Sequence, residues 1–281
     1  MYVAQMRLAG VYLLAALAVG VIDEFYLHDT LTAAALPFIY AVTCATHAYR
    51  FAKRYSDETQ RPAYSRWYGL LGAAAGLFLI AFSVRTFVVE PFRFPSGSML
   101  PTIPLRAHLI VQKWGYGNYG TYGIHPFRSP ISSPLARGDI IIFEYPSNRS
   151  ISYAKRLIGL PGDTIAYRGK KLTINGNPIA LRQTADYLNT KAFAYTPAYI
   201  ESLMGVEYTV LIEKDAPGSV QSPDAFPFRD KCTYDSESMT CVVPTGHYFT
   251  LGDNRDNSYD SRMWGFVPAD HVIGKVLYIV P

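Results

Sequence analysis

Three stretches of this chain carry residue types that could do chemistry together. The first is Phe92-Arg93-Phe94-Pro95-Ser96-Gly97-Ser98-Met99-Leu100-Pro101-Thr102, with two hydroxyls around one glycine between two prolines. Pro95 and Pro101 fix φ and push Phe94 and Leu100 toward extended backbone, while Gly97 lets the chain turn closely between the serines. Such a segment presents one hydroxyl at a fixed angle, with backbone N–H groups and a second hydroxyl beside it. A nucleophile with an oxyanion site needs those parts. Taken alone, the same pattern also describes an ordinary turn.

Ser98 needs a base. The chain has six histidines, and none stands in a recognisable catalytic setting; His108, His247 and His271 are single residues at expected strand edges. A Ser-His-Asp triad remains compatible with the spacing, since triads are defined in space. The sharper candidate is Lys155, within Ser152-Tyr153-Ala154-Lys155-Arg156-Leu157-Ile158. Strand alternation puts Tyr153, Lys155 and Leu157 on one face, and Ala154, Arg156 and Ile158 on the other. A lysine between an aromatic and a leucine points toward apolar surroundings, and burial lowers an amine's pKa. At an ordinary pKa of ~10.4 only about 0.1% of the amine is neutral near pH 7.5; a fall of two units makes that roughly 10% and costs about 2.7 kcal/mol. The competing reading is an edge-strand lysine reaching solvent.

The third stretch is Gly252-Asp253-Asn254-Arg255-Asp256-Asn257-Ser258-Tyr259-Asp260-Ser261-Arg262-Met263-Trp264-Gly265. Its aspartates invite a calcium-loop reading. Counted from Asp253, however, the sixth position is Ser258 rather than glycine and the twelfth is Trp264 rather than glutamate, so an EF-hand fails. A dense polar loop after a strand can instead hold charge pairs and place an orienting hydroxyl. No His/Cys/Glu spacing suggests a metal, and no cofactor is implied.

The elements that must position these residues fall into two kinds. Of the 281 residues, 49% are hydrophobic and 17% charged, a balance that directs attention to membrane spans. Three apolar runs fill the first third, and we expect spans at about 8–27, 31–48 and 67–86, the alternative being a single span plus an interfacial helix. The positive-inside rule makes 49–66, with Arg50, Lys53, Arg54, Arg61 and Arg66, the cytoplasmic loop, so that residues 1–88 form a membrane anchor. A cleaved leader is the competing reading of the start, through Ala16-Leu17-Ala18; a lone preceding arginine and a second apolar run close behind favour retention.

From 89 to 281 the chain changes to short β-branched and aromatic runs broken by Gly and Pro, the pattern of a mainly β domain. Expected strands are 108–113, 140–145, 152–158, 164–167, 171–174, 208–212, 247–251 and 272–280, with Asn175-Gly176 a hairpin signal. Residues 115–137 read as a long loop whose Trp114, Tyr116, Tyr119 and Tyr122 suit a membrane interface. Residues 178–245 read as a variable insertion outside the central sheet. Cys232 and Cys241 form a possible disulfide if their domain lies outside the cytoplasm. The net charge of +4 is small and scattered, and no nucleic-acid motif accompanies it.

Taken together, Ser-Gly-Ser-Met-x-Pro-Thr, Tyr-x-Lys-Arg-x-x-Gly-x-Pro-Gly-Asp and Gly-Asp-Asn-Arg-Asp-Asn-Ser-x-Asp-Ser-Arg, in this order after an apolar run, closely resemble the bacterial type I signal peptidases (leader peptidases). The resemblance covers residues 90–102, 137–143, 153–163 and 252–268. It implies coiled antiparallel sheets preceded by transmembrane helices, and a Ser-Lys dyad without histidine: Ser98 as nucleophile and Lys155 as general base. It further implies an oxyanion hole from the Ser98 N–H and the Ser96 hydroxyl, and Ser258 orienting the amine. Asp253 with Arg156, and Asp260 with Arg262, would be structural charge pairs.

Phe92, Phe94, Pro95, Tyr153 and Ala154 would line the pockets. Phe94 and Ala154 stand where the familiar enterobacterial version has isoleucines, so pocket shape differs. The implied substrates are secretory preproteins, met at the translocation machinery and cut after small residues at −1 and −3. The implied location is the bacterial inner membrane, multi-pass, with the catalytic domain on the periplasmic side. Two rival readings are a self-cleaving Ser-Lys regulator and a catalytically inactive membrane-tethered binding protein. The absence of a DNA-binding segment opposes the first, and the intact Ser98 and Lys155 oppose the second.

Overall fold

The computed structural model describes residues 6–23, 35–53, 66–189, 193–216 and 223–281. The chain divides into two compact units, Met1–Ser83 and Val84–Pro281.

The first unit is helical. Met6–Ile22, Ala35–Lys53 and most of Trp67–Phe87 are built from long runs of Leu, Ala, Val and Phe. Among the described residues one helix, Trp67–Phe87, is long and apolar enough to cross a membrane, with 21 residues at a mean hydropathy of 1.8. Of the three expected spans this supports the third. Met6–Ile22 has 17 described residues, about 26 Å at ~1.5 Å each, set against a ~30 Å hydrocarbon core. Ala35–Lys53 carries two threonines, His47, Arg50 and Lys53 along its length, which dilute its hydropathy. The ends of both expected spans near 24–34, and most of the expected cytoplasmic loop, lie outside the described residues.

The second unit is almost entirely antiparallel β structure. Its main sheet has seven strands in the spatial order Val89–Arg93, His108–Gln112, Val272–Val280, Ile140–Tyr145, Asn148–Gly159, His247–Leu251 and Val267–Pro268. A second sheet of five runs Cys232–Tyr234, Ser238–Val242, Thr164–Arg168, Lys171–Ile174 and Asn177–Pro178. The chain passes from Asn148–Gly159 straight into this second sheet, and one apolar core unites them through Ile158, Ile165, Cys241, Phe249 and Leu251. Another core, under the first stretch, gathers Phe94, Met99, Ile103, Leu109, Val111 and Ala154.

All eight expected strands are present. Asn175 and Gly176 have φ of 52° and 79°, the left-handed pair that a two-residue hairpin requires. Residues 115–137 depart from the long-loop reading: Asn118–Thr121 and Ile124–Arg128 pair as a hairpin. Glycine and tyrosine hide the alternation there, and Tyr119 stacks on Phe127 across the pair. Tyr116 and Tyr119 are buried while Trp114 and Tyr122 are exposed, the Tyr122 ring with the Arg85 guanidinium 4.4 Å from its centroid. Residues 178–245 place no described strand in the seven-stranded sheet, yet Ser238–Val242 pairs with Thr164–Arg168 in the second. Cys232 and Cys241 are cross-strand partners and form a disulfide.

Candidate active site

The serine segment is held from both sides. Met99, Leu100 and Ile103 are buried and anchor the turn in the core. From the polar loop, the Asn254 N–H donates to the Ser98 carbonyl at 3.1 Å and Asn254 Nδ2 donates to the Gly97 carbonyl at 3.1 Å. Gly252 makes this approach possible, because a Cβ there would lie 2.5 Å from the Ser98 carbonyl oxygen and 2.1 Å from Ser258 Oγ. The Ser98 N–H itself donates to Ser96 Oγ at 3.2 Å, so the two groups expected to form an oxyanion hole face each other.

Lys155 sits on Asn148–Gly159, opposite Ile141 of the neighbouring strand. On its other edge this strand pairs with His247–Leu251 only through Arg156, Leu157 and Gly159. Its first half therefore offers an open edge beside the site. Lys155 Nζ donates to Ser98 Oγ at 2.6 Å, with Lys155 3% and Ser98 7% exposed. Burial, the largest influence, lowers the amine's pKa to about 8; Arg262 lowers it further, while Asp260 and Asp253 pull the other way. At pH 7.5 such an amine is neutral in about a quarter of molecules, more than the two-unit fall considered above would give.

Those carboxylates leave Lys155 unpaired because each is committed elsewhere. Arg156 grips Asp253 with two hydrogen bonds, at 2.8 and 2.6 Å, and also donates to the Gly138 carbonyl at 2.7 Å. Arg262 grips Asp260 at 2.8 and 2.9 Å. Arg255 is bidentate to Glu201, which also accepts from the Tyr208 hydroxyl. Burial alone would raise the Glu201 and Asp260 carboxyls; Arg255 and Arg262 more than offset it and hold both below the ordinary range.

A cleft of about 710 Å³ opens in front of Ser98 and Lys155. Phe92, Phe94, Pro95, Tyr153 and Ala154, the expected pocket residues, all line it, as do Ser96 and Ser258. The expected charge pairs stand behind it. Ser258 departs from expectation: its hydroxyl is buried without a hydrogen-bond partner, and no bond joins it to Lys155. Among the described residues no histidine lines the cleft; His271 is buried with its ring against the Glu144 carbonyl, a structural placement.

Sequence reasoning missed four contributors. Asn254 and Thr102 lie inside stretches already singled out, Thr102 donating to Asp253 Oδ2 at 2.5 Å, but nothing in their spacing announces a partner. Glu201 and Tyr208 come from the low-pattern region 178–245, where a lone glutamate and tyrosine carry no local signal. The Arg156 guanidinium stacks 3.8 Å from the Tyr208 ring centroid.

Residues 67–280 match the family model described as signal peptidase, peptidase S26. The chain belongs to that family. A signal peptidase I of Buchnera aphidicola (subspecies Baizongia pistaciae) is 36% identical over 72% of this chain and 73% of its own length. One from Pseudomonas aeruginosa is 35% identical over 72% and 68%, and one from Rickettsia prowazekii 36% identical over 74% and 78%. A solved signal peptidase I from Enterococcus faecalis is 33% identical, covers 52% of this chain and 98% of its own, and superposes with a TM-score of 0.29. Membership of the signal peptidase family makes the chain a serine peptidase, hence a hydrolase, associated with membranes.

Proposed function

We propose that this chain removes signal peptides from secretory preproteins, with Ser98 as nucleophile and Lys155 as general base. The observation that carries the reading is the 2.6 Å contact between the serine hydroxyl and a buried amine whose pKa falls to about 8. In its neutral form the amine takes the Ser98 proton as Oγ attacks the scissile carbonyl carbon. The resulting oxyanion turns the Ser98 N–H and the Ser96 hydroxyl from each other toward itself. Collapse breaks the C–N bond, and the lysine ammonium returns its proton to the departing amine. Water then repeats the sequence on the acyl-enzyme, with Lys155 again as base. Ser258, unpartnered in the same cleft, is the hydroxyl available to hold the amine once Ser98 Oγ turns to substrate.

An extended substrate can pair with the open edge of Asn148–Gly159, supplying backbone hydrogen bonds without a sequence requirement. Selection of small residues at −1 and −3 then falls to Phe94 and Ala154 on the cleft wall, one larger and one smaller than the isoleucines of the enterobacterial pattern. Tethering by Trp67–Phe87 confines enzyme and membrane-bound substrate to one plane, which raises their encounter rate. We place the catalytic unit on the periplasmic face of the inner membrane, reached by preproteins from the translocation machinery, with the earlier helices adding further passes.

The test is incubation of the full chain in detergent with one preprotein and location of the cut bond by mass spectrometry. Cleavage after a small residue at the end of the signal peptide is the expected result. Ser98→Ala and Lys155→Ala are each expected to abolish it, by about 10³-fold or more. Near-wild-type activity in either variant refutes the dyad.

A further inference from the structure

A second cavity of about 290 Å³ lies against the first and has no role in the chemistry above. Phe92 and Ser152 line both. Beyond them the second cavity continues along the same two strands to Glu90 and Ser150, and is roofed by the hairpin residues Asn118 and Thr121. Successive antiparallel pairings across the sheet make Val89–Arg93 and Asn148–Gly159 run in the same direction. Moving back four residues on each, from Phe94 to Glu90 and from Ala154 to Ser150, therefore reaches the same end of one groove, about 13 Å away at ~3.3 Å per residue.

The polar groups there are unusual. Asn118 is 2% exposed, and neither its Oδ1 nor its Nδ2 has a hydrogen-bond partner. Glu144, also 2% exposed, has an Oε2 that accepts no hydrogen bond; Arg149 Nη1 stands 3.5 Å from it and Arg128 Nη2 3.4 Å from Oε1. Glu90, by contrast, is satisfied by Lys113 and Thr121. A buried amide with both ends unpaired costs stability unless something arrives to pair with it.

We propose that this cavity is a third side-chain site of the substrate groove, reading the residue at −5 and favouring a neutral hydrogen-bonding side chain, above all an amide. The inference rests on the signal-peptidase reading. In an extended peptide −1, −3 and −5 face the same way, and the span from −1 to −5 is the four residues that separate the two ends of the groove. A glutamine or asparagine amide can donate to Asn118 Oδ1 and Glu144 Oε2 and accept from Asn118 Nδ2. Glu144 and Arg149 both line the cavity and already face each other, so an arriving charge of either sign meets a like charge there. Leucine leaves both ends of the Asn118 amide unpaired.

The experiment measures kcat/KM of the full chain in detergent on peptides with alanine at −1 and −3 and Gln, Leu, Glu or Lys at −5, alongside one beginning at −4. Glutamine is expected to exceed leucine by about 5- to 10-fold, the worth of one or two net hydrogen bonds. Asn118→Leu is expected to bring the glutamine peptide down to the leucine value. Asn118→Asp, nearly isosteric, covers the case in which the leucine variant does not fold, and is expected to move the preference toward lysine. Equal rates at −5 in the wild-type chain, or a glutamine preference that survives both substitutions, overturns the proposal while leaving the dyad standing. Failure to cut even the peptide beginning at −4 overturns the parent reading, and the third site with it.

Discussion

Lys155 and Arg156 are adjacent on one strand, are 3% and 4% exposed, and are treated in opposite ways. Arg156 is clamped by both oxygens of Asp253, so that although burial works against its charge, the carboxylate prevails and its pKa is raised. Lys155 has a serine hydroxyl at 2.6 Å and no carboxylate of its own, so burial prevails and its pKa falls to about 8. Strand alternation sends the two side chains to opposite sides, one into a lattice of charge pairs and one into the cleft. The same desolvation thus yields a permanent cation on one side and a proton acceptor on the other. Pairing decides the outcome, since burial is shared.

Substitutions at the two positions should separate function from stability. The largest effect is expected from Lys155→Met on cleavage, a loss of about 10³-fold or more with the strand intact. Next is Arg156→Met on stability: it strands Asp253 in the interior and should cost about 3–5 kcal/mol in denaturant unfolding. Third, and of opposite sign, Lys155→Met should stabilise the catalytic unit by about 3 kcal/mol at pH 7, the equivalent of lowering an amine's pKa from its ordinary value to about 8. Because the folded pKa lies below the unfolded one, both states are charged beneath pH ~8 and the full penalty operates there. Between there and pH ~10.5 the folded amine is neutral while the unfolded one still binds a proton, so the gain should fade as pH rises through this window. Equal destabilisation by both substitutions would erase the contrast. The smallest effect is Ser258→Ala, expected to lower kcat by about 10-fold with no loss of thermal stability, because the hydroxyl has no bond to lose in the resting site.

The parts of this arrangement legible in the sequence are those set by local rules. Alternation around Tyr153, Lys155 and Leu157 marked a lysine facing apolar surroundings, and prolines flanking Ser-Gly-Ser marked a constrained hydroxyl. Every strand expected from β-branched runs formed. What stayed hidden depends on distant partners. Glu201 becomes part of the site's charge lattice only because Ala198–Leu203 brings it to Arg255. Asn118 sits in a Gly/Tyr stretch whose hairpin has too few alternating side chains to register as strand. The early apolar runs are less decisive: composition measures apolarity, whereas a span also needs helical length, and of the described helices Trp67–Phe87 has both.

Cleavage by the dyad depends on the protonation of one amine, and NMR titration of the Lys155 side chain in the full-length protein measures it directly. With lysine ε-carbons labelled, and the resonance assigned by its loss in Lys155→Met, a midpoint near pH 8 is the result predicted here. A midpoint near pH 10.5, that of a solvated lysine, would show that the amine stays charged at neutral pH and would contradict the dyad.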